Sequence, residues 1–211
     1  MAKVSEPNHT ERRLVLVRHG ETVGQSSIRY YGATDVALSA SGCEQMARVR
    51  AALAGERFDA VYTSGLQRTI AAARIVAPAL APQPVPGFNE INFGRWEGLT
   101  REEIAAREPE LFQLWRATLH DFAYPGGEAV PAFHARVVAT LRDWLPAAPA
   151  RTLLVVHKGI IAAIVAELLR LSPGERVAWP IDLASIHVVA TADGAWHAER
   201  VNQIDHLDGL Q

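Results

Sequence analysis

Leu14-Val15-Leu16-Val17-Arg18-His19-Gly20 and Thr152-Leu153-Leu154-Val155-Val156-His157-Lys158-Gly159 are two versions of one pattern. In each, a short aliphatic run, continuous rather than alternating, ends at a histidine with a glycine close behind. Continuous apolar runs of this length suit strands covered on both faces, as in a parallel sheet with helices on either side.

The segments between these runs supply the helices. Ser39 or Ser41 is placed to cap one that carries Met46, Val49 and Leu53 at helical spacing and closes near Gly55. Ala60–Thr63 reads as a strand. Ser64 then caps a helix with Leu66, Ile70, Ala73 and Ala77 on one face and Pro78 at its end. A loop rich in Pro and Gly, residues 82–98, carries Glu90, and Thr100 with Glu103 forms a capping box. After the Pro125-Gly126-Gly127 turn, Val130, Phe133, Val137, Leu141 and Trp144 describe a long helix stopped by Pro146. A further helix bears Ile160, Ile161, Ile164, Val165, Leu168 and Leu169 and is expected to end at Pro173-Gly174. Strands near 184–191 and 196–202 are joined by Asp193-Gly194, a hairpin signal. Strands alternating with helices predict an α/β fold, a three-layer α/β/α sandwich with a mostly parallel central sheet. Residues 1–11 read as a flexible leader, 12–207 as a single domain and 208–211 as a C-terminal tail.

Composition excludes several classes. Lys and Arg total 21 against 23 Asp and Glu among 211 residues, and no basic cluster marks a nucleic-acid surface. Cys43, the only cysteine, rules out a disulfide or thiolate metal cage within one chain, fits a reducing compartment and reads as a half-buried helix residue. The polar start MAKVSEPNHTERR lacks a secretory signal, and no apolar run reaches a membrane span, so a cytoplasmic protein without membrane contact is expected.

Ligands of open α/β sheets bind beyond the carboxyl ends of the strands, where both apolar runs deliver a histidine. With Arg18 and Arg68 there, two guanidinium forks and two imidazoles would surround a phosphoryl group near a helix N-terminus. Guanidinium charge opposes a metal cation, so no metal is expected. An imidazole whose proton is fixed on one nitrogen presents the other as a nucleophile, which makes His19 the preferred one. Arg18, Arg68 and His157 would stabilise the transferring phosphate. Glu90 is the candidate general acid and Glu21 the second choice. Arg29, Tyr30 and Tyr31, in the loop after the first histidine, are placed to touch substrate. Trp96 and Trp115 read as half-buried supports of the loop ahead of residues that line the substrate mouth. His120, His134, His187 and His197 read as surface or satisfied core positions.

LVLVRHGET, YTSGLQRTIAAA, NEINFGRWEGLT, YPGGE and VVHKGI occur in the order seen in the histidine phosphatase superfamily, and the chain resembles that family over about Leu14 to Leu207. The resemblance implies a phosphoglycerate mutase-like fold, a phosphohistidine at His19, phosphate binding by Arg18, Arg68 and His157, proton donation by Glu90, and no metal or organic cofactor. Gln25 stands where the family often has asparagine and retains an amide able to reach phosphate. Lys158 replaces a glycine, bringing either a positive charge to the pocket rim or a solvent-facing side chain. Ala162 sits near the place of a family arginine. The compact passage from Gly98 to Gly126 favours hydrolysis over mutase chemistry, and ERVNQIDHL resembles the tail of small bacterial members such as the α-ribazole phosphatases and the fructose-2,6-bisphosphatase-like phosphatases.

The expectation is a phosphomonoesterase acting on a small-molecule phosphate ester. A phosphoglycerate mutase-type phosphotransferase and a non-catalytic phosphate-binding module are the alternatives. The apolar final hairpin permits a homodimer through an exposed edge and equally suits core packing.

Overall fold

The first apolar run forms β1 (Arg13–Arg18) and the second β4 (Arg151–Val156). In a computed structural model describing residues 11–210, the two strands lie side by side and parallel, with Leu14 opposite Thr152 and Val17 opposite Val155. The expected leader, Glu11 excepted, lies outside the described residues, as does Gln211.

The remaining strands are β2 (Ala60–Thr63), β3 (Gln83–Pro84), β5 (Ile186–Ala192) and β6 (Ala195–Gln203), in the sheet order β3-β2-β4-β1-β5-β6. β5 alone runs against the others, pairing antiparallel with both β1 and β6, so the sheet is mostly parallel. β5 and β6 are joined through Asp193 and Gly194 at φ 50° and 77°, the left-handed geometry a two-residue hairpin turn requires.

Alternation along the strands explains why both runs had to be apolar throughout. Val15, Val17, Leu153 and Val155 face one side, where Met46 and Val49 of α1 (Ala40–Ala52) and Ala72, Ala73 and Val76 of α2 (Gln67–Val76) cover them. Leu14, Leu16, Leu154 and Val156 face the other, against α5 (Val130–Trp144) and α6 (Lys158–Leu169). Each fully buried aliphatic side chain contributes about 1.5–3 kcal/mol, so both helix layers are bound to the sheet by the strands that end in the site. The result is the expected three-layer α/β/α sandwich.

Four local expectations are corrected. Ser64 does not cap α2: Leu66 is the cap residue, and the Ser64 hydroxyl faces the site instead. Pro173-Gly174 does not end α6, which closes at Arg170 in a left-handed conformation (φ 56°); Pro173 instead opens α7 (Pro173–Ala178), capped by Ser172 and Glu175. Proline at a first helical position loses no intrahelical bond, so it serves as a start as readily as a stop. Cys43 is exposed, on the outer face of α1. Trp96 and Trp115 are buried, beyond the half-buried positions expected, Trp115 at the end of α4 (Pro109–Ala117), which follows α3 (Arg101–Arg107) after a break at Glu108. Among the described residues no helix is long and apolar enough to cross a membrane.

Candidate active site

The parallel pairing of β1 with β4 sets the geometry. The His19 N–H donates to the Val156 carbonyl at 3.0 Å, and the His19 and His157 ring centroids stand 5.1 Å apart, edge to face. Past His19 the chain must squeeze against the start of α1. A Cβ on Gly20 would lie 2.6 Å from the Gly42 carbonyl oxygen, which explains the glycine directly after the histidine.

The two buried rings carry their protons differently. Nδ1 of His19 lies 2.7 Å from the Gly20 carbonyl, which only accepts, so the proton sits on Nδ1 and Nε2 presents a lone pair. Burial, then the Arg68 and Arg18 charges, hold its pKa well below the ordinary imidazole value. Nδ1 of His157 faces Arg68 Nε, which only donates, at 3.3 Å, so the His157 proton sits on Nε2 and is given to Ser64 Oγ at 2.8 Å. Ser64 Oγ also accepts from the Leu66 N–H and donates to Thr69 Oγ1 at 2.8 Å, while Thr69 donates to the Leu66 carbonyl. Burial first, then Arg68, His19 and Arg18, hold His157 neutral as well.

Arg18 is anchored by one bond to the Ile181 carbonyl at 3.0 Å, and its buried Nε has no partner. Arg68, fully buried, donates to the carbonyls of Thr34 and Gly32 at 2.9 and 2.7 Å. Those carbonyls are fixed in turn by Glu97, whose carboxylate accepts from the backbone N–H groups of Gly32, Ala33, Thr34 and Phe93. Burial lowers the pKa of both arginines, and Glu90 is the leading charge opposing that effect.

Glu90 enters from the loop between β3 and α3 and is buried. Its carboxylate accepts from the Gly159 N–H at 2.9 Å and the Ile91 N–H at 3.0 Å. A Cβ on Gly159 would stand 2.4 Å from Glu90 Oε1, so the glycine two residues after His157 makes room for this acid. Burial raises the Glu90 pKa; the two N–H bonds, Arg68 and Arg18 act against it without cancelling it. An acid of this kind holds its proton to higher pH than an exposed glutamate.

Arg18, His19 and Glu90 open on a cleft of about 420 Å³ lined also by Lys158, by residues 26–31, and by Phe93, Arg101, Ile181 and Asp182, while buried His157 and Arg68 stand behind His19 and are not among its lining residues. Tyr30 and Tyr31 therefore border it. Lys158 is exposed at the rim, and desolvation by the cleft walls followed by the Arg18 charge lowers its pKa. Arg29 lines the cleft, yet its guanidinium is committed to Glu103 at 2.8 Å and to the Gly98 carbonyl. Gln25 is exposed, in a left-handed conformation (φ 63°), and is not among the lining residues. The Glu21 carboxylate accepts from the Thr22 and Ser27 N–H groups, so it fixes the loop that lines the cleft and is not itself a lining residue. Sequence reasoning missed Ser64 as the partner of His157, and also Arg101 and Asp182 on the cleft wall. Arg101 lies over the Trp115 ring at 5.3 Å, and its place in the first turn of a capped helix was the available signal.

Of the remaining histidines, His197 is exposed beside Glu199, and buried His187 accepts from the Trp179 indole N–H, its pKa held down to about 4 chiefly by burial. Among the described residues no group of three His, Cys, Asp or Glu side chains is arranged to hold a metal ion.

This geometry coincides with a sequence match: the profile of the histidine phosphatase superfamily (branch 1) fits residues 14–204. The chain belongs to that superfamily. It is 30% identical over 194 residues to an adenosylcobalamin/alpha-ribazole phosphatase of Escherichia coli, covering 90% of this chain and 91% of the relative. It is 29% identical to a metal-independent phosphoserine phosphatase of Arabidopsis thaliana over 93% of this chain and 84% of that one. A crystal structure of a putative alpha-ribazole-5'-P phosphatase from Escherichia coli superimposes with a TM-score of 0.82 at 27% identity, covering 91% of this chain and 96% of that chain. Phosphatase names among relatives of this superfamily support a hydrolase.

Proposed function

We propose that this chain is a metal-independent phosphomonoesterase that hydrolyses a small phosphorylated metabolite through a phosphohistidine on His19. The observation that carries the reading is the proton arrangement: His19 presents a free Nε2 lone pair while the neighbouring buried Glu90 holds its proton more tightly than usual. The relatives named for different small phosphate esters support the substrate class and leave the ester open.

In the first step the Nε2 lone pair forms a bond to phosphorus as the bond to the leaving oxygen breaks, and the Glu90 proton passes to that oxygen. Arg18, Arg68 and His157 stabilise the charge on the equatorial oxygens. Water then attacks phosphorus, Glu90 takes back a proton, the N–P bond breaks and phosphate leaves.

His157 has a particular task within this scheme. Its Nδ1 accepts from Arg68, so donating to phosphate requires a second proton on Nδ1 and release of the Arg68 bond, which an arriving dianion favours electrostatically. Lys158 and Tyr30 are placed on the rim to meet the leaving group.

The test is phosphate release from a panel of monoesters with chelator present, comparing the intact protein with His19→Ala. The expected result is release that survives chelator and falls by roughly 10⁴-fold or more in the variant, the scale of loss for an essential nucleophile. Release abolished by chelator, or retained without His19, overturns the mechanism.

A further inference from the structure

A second cavity, about 530 Å³, opens directly from the cleft and shares Tyr30, Glu90, Phe93, Arg101, Lys158 and Ile181 with it. Beyond these shared residues, nothing in the phosphoryl-transfer scheme uses it. Its inner walls come from separate elements: Trp115 from α4, Tyr124 from the following loop, Val130 and Phe133 from α5, Ala162 from α6, and Trp179 after α7. The surface is mainly apolar and aromatic. Two large apolar side chains at its edge, Leu119 and Val177, are 37% and 54% exposed, so the opening is uncovered.

Charge is distributed unevenly around this apolar body. At the junction with the cleft stand Lys158 and Arg101. At the far end Arg176 lies 3.2 Å from His120 Nδ1, with His134 beside them. Burial, and next the Arg176 charge, depress His134 to about 4, so His134 is neutral and Arg176 is the cation of that end. Among the described residues that line the cavity, Glu90 is the only acid, and it sits at the phosphate end.

We propose that this cavity is the leaving-group site and takes an apolar ring system carrying a carboxylate, the ring lying among Trp115, Tyr124, Phe133 and Trp179 and the carboxylate meeting Arg176 and His120. The inference rests on the phosphatase reading and narrows it. A cavity continuous with the transferring phosphate receives whatever is esterified to it, apolar walls favour an apolar body, and the Arg176 guanidinium beyond that body, with no acidic partner among the described residues, favours an anion that His120 can support as a hydrogen-bond donor.

The experiment compares kcat/KM for three esters: 6-carboxy-2-naphthyl phosphate, 2-naphthyl phosphate and glycerol 2-phosphate. Ala162→Leu and Val130→Phe narrow the cavity from α6 and α5, and Arg176→Ala removes the distal cation. Each narrowing variant is expected to lower the naphthyl-to-glycerol ratio about tenfold, within the range a filled apolar pocket commands. Arg176→Ala is expected to lower the carboxynaphthyl-to-naphthyl ratio by about the same factor, as loss of a charged hydrogen bond does. Folded variants with both ratios unchanged overturn the proposal.

Calorimetric titration with 6-hydroxy-2-naphthoate, the leaving group itself, needs no catalysis and separates the two readings. Binding that Ala162→Leu abolishes, in a protein that hydrolyses no ester, sinks the phosphatase reading and keeps the site. Hydrolysis without such binding and with flat ratios sinks the site alone. If the naphthoate fails to bind and the chain instead dimerises in a manner sensitive to Ala162→Leu, the cavity is a contact between copies and the proposal is wrong.

Discussion

His19 and His157 end two adjacent parallel strands, follow near-identical apolar runs and face each other 5.1 Å apart, yet their rings are prepared for opposite work. The difference lies in the partner of Nδ1. A carbonyl oxygen fixes the proton there in His19 and frees Nε2. A guanidinium N–H removes it in His157, where Nε2 is spent on Ser64. One backbone device thus delivers two imidazoles, and the neighbours of each ring decide which one presents a free Nε2 lone pair and which has both ring nitrogens engaged.

Exchanging or deleting parts of this asymmetry should produce graded losses. After the loss of His19 itself, the largest is expected from His157→Ala: a fall in kcat of about 10³-fold, comparable to removing a preorganised charge-stabilising donor, with acid-labile phosphate still trapped on His19 in a quench experiment. No trapped phosphate at all would mean that the two rings do not divide the work as described. Glu90→Gln should cost about 10²-fold on esters with poor leaving groups and much less on nitrophenyl phosphate, whose leaving oxygen needs no proton.

The same pair sets the pH profile. Glu90 must enter protonated, so kcat/KM falls as pH rises through its raised pKa; His19 must enter neutral, so the acid-side fall is displaced below the ordinary imidazole range. Glu90→Gln should erase the alkaline limb and keep the acid one. Ser64→Ala, which leaves the His157 Nε2 proton without an acceptor, should cost about tenfold, the equivalent of one lost buried hydrogen bond. The smallest effect is expected from Arg29→Ala: because its guanidinium is held by Glu103, KM should change by less than about twofold, as partly exposed ion pairs are energetically modest. A tenfold rise in KM would show that Arg29 leaves Glu103 to meet substrate.

The legibility of the chain follows the same division between backbone and surroundings. Both site-forming strands, their helices and the sandwich could be read from apolar periodicity, because burial on both faces writes a continuous run. His19, Arg18, Arg68, His157 and Glu90 were singled out because imidazoles at strand ends with charged side chains nearby are chemically conspicuous, and the structure brings Arg18, His19 and Glu90 to one cleft with His157 and Arg68 packed behind them. Ser64 was misread as a helix cap because a serine before a helix satisfies local rules, and only the approach of β4 reveals that its hydroxyl is taken by His157. Gln25 and Arg29 lie in a loop whose path is set by Glu21, Glu97 and Glu103 at sequence distances that no local pattern records.

The grip of Glu97 on four backbone N–H groups has a consequence for how this molecule can change. It stitches the loop after β1 to the loop that carries Glu90, so neither is an independent module. Grafting the 21–38 loop of a relative without its matching 89–98 segment would unseat the carbonyls around Arg68 before any substrate contact is altered. Altered specificity in such chimeras would then require the two loops to be inherited together.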